Sequence, residues 1–176
     1  MPDARTITVF GSSDPKPDEP AYEEARRLGA AIARAGWVLC NGGYGGTMAA
    51  GCRGAIEAGG ETVGVSCSAF GRSGINQWVQ REVTTDGLNE RLDRLIELGD
   101  AYVVLPGSTG TLLELAMVWE LANKEFVARK PIVLLGAFWA PVVEVVSREA
   151  PRSSKHIDRA ETTDEAIALL RDRLAT

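Results

Sequence analysis

Histidine is nearly missing from this chain: His156 is its only one. A histidine-based metal site is therefore excluded. A Ser-His-Asp relay centred there would have to reach across the fold, and no nucleophile-elbow sequence accompanies it. Lysine is scarce as well. Lys16, Lys124, Lys130 and Lys155 are the whole set. None sits in a glycine-rich loop, so there is no P-loop of the Walker type, and none is placed to hold pyridoxal phosphate. The three cysteines, Cys40, Cys52 and Cys67, are odd in number and match no metal-ligand spacing. They read as buried thiols, with a reactive thiol as the alternative. No apolar run approaches the ~20 residues that span a bilayer, so a membrane partner is not expected. Positive charge is in deficit: the net charge is −5, which argues against general nucleic-acid binding. The opening Met1-Pro-Asp-Ala-Arg5 shows no basic stretch followed by an apolar segment, and the expectation is a cytoplasmic protein. Nothing calls for a metal or an organic cofactor.

What remains is an ordinary globular composition, 45% hydrophobic and 24% charged over 176 residues. One domain covering residues 1–176 accounts for it. Strand and helix patterns alternate along the chain. Strands are expected at Thr6–Phe10, Trp37–Cys40, Glu61–Val65, Arg81–Thr84, Ala101–Leu105, Pro131–Leu135 and around His156–Ala160. Helices are expected at Glu19–Ala35, Thr47–Ala58, Leu88–Leu98, Thr109–Asn123, Phe138–Ser147 and Ala166–Leu174. Residues 66–79 carry no period and read as a long loop, functional or mobile. This alternation specifies an α/β fold with a doubly wound, Rossmann-like parallel sheet covered by helices on both faces.

Glycine is where the sequence concentrates its information. Leu105-Pro-Gly-Ser-Thr-Gly-Thr-Leu-Leu-Glu114 ends an apolar strand in a glycine-rich turn and opens a helix. Free backbone N–H groups converge at such a turn and the helix dipole adds partial positive charge, so Gly107, Ser108, Thr109, Gly110 and Thr111 form a candidate anion site. Glu114 lies one turn inside. As a carboxylate it does not serve phosphate; it faces the sugar or reacting carbon of a nucleotide, or is a solvated first-turn acid. A second cluster, Asn41-Gly-Gly-Tyr-Gly-Gly-Thr47, also joins a strand to a helix and offers Gly42, Gly43, Gly45, Gly46 and Thr47. The first strand ends in Gly11-Ser12-Ser13. Doubly wound sheets bind ligands at the carboxyl ends of their strands, so these three loops can line one edge. Arg91 stands among Glu90, Asp93 and Arg94, which fits a solvated helix face as well as a functional role. Tyr44 and Trp78 either stack on a base or simply pack. Arg72 either caps a ligand or is solvated.

With these residues in view, the chain resembles the LONELY GUY (LOG) family and its "lysine decarboxylase-like" Rossmann relatives. The family signature Pro-Gly-Gly-x-Gly-Thr-x-x-Glu is similar to Pro106–Glu114, with Ser108 at the second glycine. Val9-Phe10-Gly11-Ser12-Ser13 and the Gly42–Met48 cluster also match family patterns. The family's Met-His-x-Arg-Lys helix aligns with Leu88-Asn89-Glu90-Arg91-Leu92. The likeness covers roughly residues 6–146.

The resemblance implies a phosphoribohydrolase, which splits a nucleoside 5′-monophosphate into free base (a cytokinin, or adenine from AMP) and ribose 5-phosphate. It implies that Glu114 and Arg91 are catalytic, that Gly107, Gly110 and Thr111 hold phosphate, and that the protein is a homodimer or higher homo-oligomer. Carboxylates suit an oxocarbenium-like transition state, either stabilising charge or activating water. Arg91 either binds phosphate bidentately or fixes Glu114. Three departures, Ser108, Asn89 and Leu92, together with the unusual Phe70–Gly74 loop, bear on substrate choice. The alternative is a non-catalytic module that binds a nucleotide or a phosphorylated cofactor, in the manner of molybdenum cofactor carriers.

Overall fold

A computed structural model describes residues 4–71, 74–126 and 130–175. Seven strands alternate with six helices among them. The strands are β1 (Thr6–Phe10), β2 (Val38–Asn41), β3 (Thr62–Cys67), β4 (Arg81–Thr85), β5 (Ala101–Val104), β6 (Ile132–Leu135) and β7 (Ile157–Ala160). The helices are α1 (Pro20–Arg34), α2 (Thr47–Glu57), α3 (Leu88–Leu98), α4 (Thr109–Asn123), α5 (Ala140–Glu149) and α6 (Thr163–Leu174). The strands form one sheet in the order β4-β3-β2-β1-β5-β6-β7, every pairing parallel. This is the doubly wound fold expected from the sequence.

The sheet is covered on both faces, which is why β3, β5 and β6 are buried along their whole length. On one face Ile7, Val9, Leu39, Val103 and Val133 pack against Tyr22, Leu28 and Ile32 of α1, Ala50 and Ala55 of α2, and Leu170 of α6. On the other, Phe10, Val63, Tyr102, Val104 and Leu134 pack against Leu95 of α3, Leu115 and Trp119 of α4, and Val143 of α5. The alternation of strand residues between these two clusters follows the two-residue period of the pleat.

Neighbours β1 and β5 are joined in register, Val9 beside Val103, yet they send their helices to opposite faces. The chain therefore parts above them, and a crevice opens at the carboxyl end of the sheet.

Element ends shift from the sequence reading for identifiable reasons. β3 extends to Cys67 because Ser66 and Cys67 pair with Thr84 and Thr85; a short 3-10 turn, Ser68–Phe70, follows. The expected long loop therefore begins as strand. α5 starts at Ala140 rather than Phe138, after a turn in which Gly136 takes φ +79°. α6 starts at Thr163 rather than Ala166. Thr162 caps it by accepting from Glu165 N at 3.2 Å, while the Glu165 carboxylate accepts from Glu161 N at 2.7 Å.

Among the described residues no helix is long and apolar enough to cross a membrane.

Candidate functional site

The turn between β5 and α4 is pinned from two sides. Leu105 N donates to Phe10 O at 2.9 Å, and the Trp139 indole N–H donates to Leu105 O at 2.9 Å. Ser108 is the N-cap of α4, with extended backbone at φ −96° and no side-chain bond to the helix. Serine at this position therefore carries no backbone strain, and the turn does not need the glycine it replaces. The first N–H groups of an α-helix have no partner inside it. Here the cap leaves them open toward a cleft of about 440 Å³.

Ser108, Thr109, Gly110 and Thr111 form one wall of that cleft. Gly11, Ser12 and Ser13, which follow β1, contribute another. Gly107 lies behind, so close to the Thr111 side chain that a Cβ there would collide with it. The remaining lining divides in character: Tyr44, Met48, Phe70, Leu88, Leu92 and Leu113 make an apolar part, and Arg91 and Glu114 provide the charge.

Arg91 is buried, 7% exposed, and is not a member of a solvated helix face. Its Nε donates to Val65 O at 2.9 Å and its Nη2 to Gly42 O at 3.3 Å. Its Nη1 lies 3.7 Å from Glu114 Oε1. The guanidinium is thus bonded to two backbone carbonyls and paired with one carboxylate.

The seat is tight: a Cβ on Gly42 would stand 1.9 Å from Arg91 Nη2, so any larger residue there would shift the guanidinium from this position. Glu114 is itself largely buried, and burial pushes its carboxyl up to about 7 against the opposing pull of Arg91. A carboxylic acid poised near neutrality inside a cleft is suited to exchanging protons.

The second glycine cluster builds the wall behind the cleft. Tyr44 and Met48 reach the lining, whereas Gly42, Gly43, Gly45, Gly46 and Thr47 are not among the lining residues. Thr47 Oγ1 and N both donate to Ser12 O at 2.9 Å, tying this loop to the end of β1. Asn41 accepts from Gly43 N at 2.9 Å and donates to Met48 O at 3.0 Å. Asn76 donates through Nδ2 to Gly43 O and Tyr44 O, each at 2.9 Å. Asn76 escaped the sequence reading because it sits in an aperiodic stretch; its partners are backbone atoms 32 and 33 residues away.

Of the two aromatic candidates, Tyr44 lines the cleft, while Trp78 packs on the α1–α2 side of the sheet and faces Arg53 at 5.8 Å. Arg72 lies outside the described residues. All three cysteines are buried. Burial pushes the Cys40 thiol up to about 12 and the Cys52 thiol to about 11, so both are inert in the resting fold. A second groove, about 570 Å³, runs over α1 and the start of α6. It is walled by exposed ion pairs such as Arg26–Glu57 and Arg27–Glu24 and takes in none of the glycine loops that begin α2 and α4.

The family model described as SLOG cluster4 matches residues 4–167. The chain belongs to the SLOG cluster4 family. This places it with LOG-like proteins, as its motifs imply. A protein named cytokinin riboside 5′-monophosphate phosphoribohydrolase from Mycobacterium tuberculosis is 36% identical over 116 residues, 65% of this chain and 62% of that protein. The SLOG cluster4 chain thus spans about three fifths of the length of that relative. A protein of the same name from Rhodococcoides fascians is 28% identical over 97% of this chain and 91% of its own. Among solved structures, the molybdenum cofactor binding protein from Rippkaea orientalis superposes with a TM-score of 0.81 at 25% identity, covering 100% of both chains.

Proposed function

We propose that this protein is a phosphoribohydrolase that cleaves the N-glycosidic bond of a nucleoside 5′-monophosphate and releases free base and ribose 5-phosphate. The observation that carries the reading is Glu114: a largely buried carboxyl, pushed up to about 7, paired with Arg91 in the same cleft as the open end of α4. The 5′-phosphate would sit on the Ser108–Thr111 turn, with Gly11 and Ser12 opposite. Glu114 lies five residues into the helix, about 7.5 Å along its axis at 1.5 Å per residue, which is the scale of a ribose. There it meets the sugar rather than the phosphate. As a carboxylate it stabilises positive charge growing on the ring, or takes a proton from the water that adds to the anomeric carbon as the bond to the base breaks, the base leaving with a proton from solvent. Arg91 keeps it oriented. The apolar part of the cleft, with Leu92 in place of a family lysine, receives the base. The identity with two named phosphoribohydrolases supports the same reading.

The test is incubation of the purified protein with a panel of nucleoside 5′-monophosphates, with free base followed by chromatography. Wild type should release base from at least one of them, and Glu114→Gln should lose that release by roughly 10²-fold or more. A second reading, a carrier of a phosphorylated cofactor, draws on the full-length likeness to a molybdenum cofactor binding protein. Saturable nucleotide or cofactor binding without base release from any nucleotide would move the conclusion to the carrier. The reading extends to a homodimer: Leu88, Leu112 and Leu113 are 46%, 37% and 42% exposed beside the cleft, an apolar rim suited to a second copy.

A further inference from the structure

Besides lining the apolar part of the cleft, Phe70 stands against the buried arginine. The Arg91 guanidinium carbon lies 5.4 Å from the Phe70 ring centroid and 5.4 Å from that of Tyr44, and the two centroids are 6.1 Å apart. The three groups form a triangle, two aromatic rings shielding a single cation. The rings differ in how they are held. Tyr44 is buried, and its hydroxyl bonds the Cys67 peptide at both ends, accepting from N at 2.9 Å and donating to O at 3.3 Å. Phe70 follows three residues later in the 3-10 turn, lines the cleft and is 37% exposed. Tyr44 is thus a fixed floor for the guanidinium, and Phe70 is its cover on the side of the cleft.

Cation–π contact is strongest where water is kept away. Arg91 donates to Val65 O and Gly42 O and pairs with Glu114, and water admitted beside it would compete for the Nη1 group that faces the carboxylate. The Phe70 ring closes that approach.

We propose that Phe70 is a positioning residue for Glu114: with Tyr44 it clamps the Arg91 guanidinium and screens the Arg91–Glu114 pair from solvent. The proposal rests on the phosphoribohydrolase reading for its kinetic consequence, but its physical content is separable. Phenylglyoxal, which modifies accessible guanidinium groups, reports the cover directly. Wild type, Phe70→Ala, Phe70→Leu and Phe70→Tyr would be treated with it, and modification of Arg91 followed by mass spectrometry of the peptide that contains it. Phe70→Ala and Phe70→Leu should each react about tenfold faster at Arg91, and Phe70→Tyr at the wild-type rate. The Leu variant keeps most of the apolar volume, so the fold survives even if the Ala variant is unstable.

In the base-release assay the Ala and Leu variants should lose tenfold or more in kcat at saturating substrate, whatever KM does because Phe70 also lines the base-binding part of the cleft, and Tyr should restore kcat. Either variant, Ala or Leu, reacting at the wild-type rate overturns the clamp. So does faster modification in Phe70→Tyr than in wild type. If wild type releases no base, the enzyme reading fails, while the modification rates still decide the clamp.

Discussion

Glu114 sits where a carboxylate is costly, and its pH behaviour follows from that. The native group titrates near 7, raised by burial from an ordinary value near 4.5. Between those values the native state holds a proton that the unfolded chain has released. Stability therefore falls as pH rises through that window, and levels off below and above it. At one pH unit per 1.36 kcal/mol, the full loss is roughly 3 kcal/mol. Glu114→Gln removes the slope: its stability relative to wild type should grow between pH 5 and pH 8 in urea unfolding. A difference that stays constant across that range would show that the carboxyl is not buried in solution.

The same residue shows how far the sequence could be read. The turn before it and its place one turn inside the helix are local facts, so Glu114 was legible as a candidate. The burial that makes it reactive is not local. Arg91 was ambiguous for the same reason. Its neighbours Glu90, Asp93 and Arg94 describe a solvated face, and only the fold turns this one side chain inward, toward carbonyls contributed by residues 42 and 65.

At the scale of elements, periodicity located all seven strands and all six helices, and α3 matches its expected range, Leu88–Leu98, residue for residue. Ends were less legible where a side chain far from the apolar stripe decides them, as Thr162 does for α6. Nor did the sequence announce how closely α1 and α2 pack. Gly29 fits α1 against Gly51 of α2 so tightly that a Cβ would stand 2.0 Å from the Gly51 carbonyl oxygen. The obstacle is backbone and cannot rotate away. Gly29→Ala should lower the thermal midpoint by the equivalent of about 1–3 kcal/mol, despite alanine's better helix propensity. A midpoint equal to or above wild type would mean that the two helices can part cheaply. The prediction matters for the site as well, because α2 begins at Thr47, whose bonds to Ser12 hold the end of β1 beside the cleft.

At the scale of the whole molecule, the crevice between β1 and β5 draws its walls from five separate stretches of chain: the loop after β1, Tyr44 and Met48, Phe70, the start of α3 and the start of α4. No short segment contains the site, so occupancy by a ligand should stabilise the entire fold rather than one loop. The exposed leucines beside the cleft carry the expectation of a second copy. Light scattering should return twice the 18.8 kDa chain mass, and Leu113→Lys should lower it toward the monomer. A monomeric wild type would mean that the apolar rim serves the ligand alone.

Arg91 has a consequence for descent. It closes the core by bonding the ends of two strands, and it also steadies the carboxylate. A lineage that gave up hydrolysis would still be bound to keep the arginine, since losing it strands buried carbonyls, whereas nothing in the packing obliges it to keep the glutamate. On the proposed reading, the arginine serves the fold and the glutamate serves the hydrolysis. A relative with the first and without the second is the one to assay as a carrier.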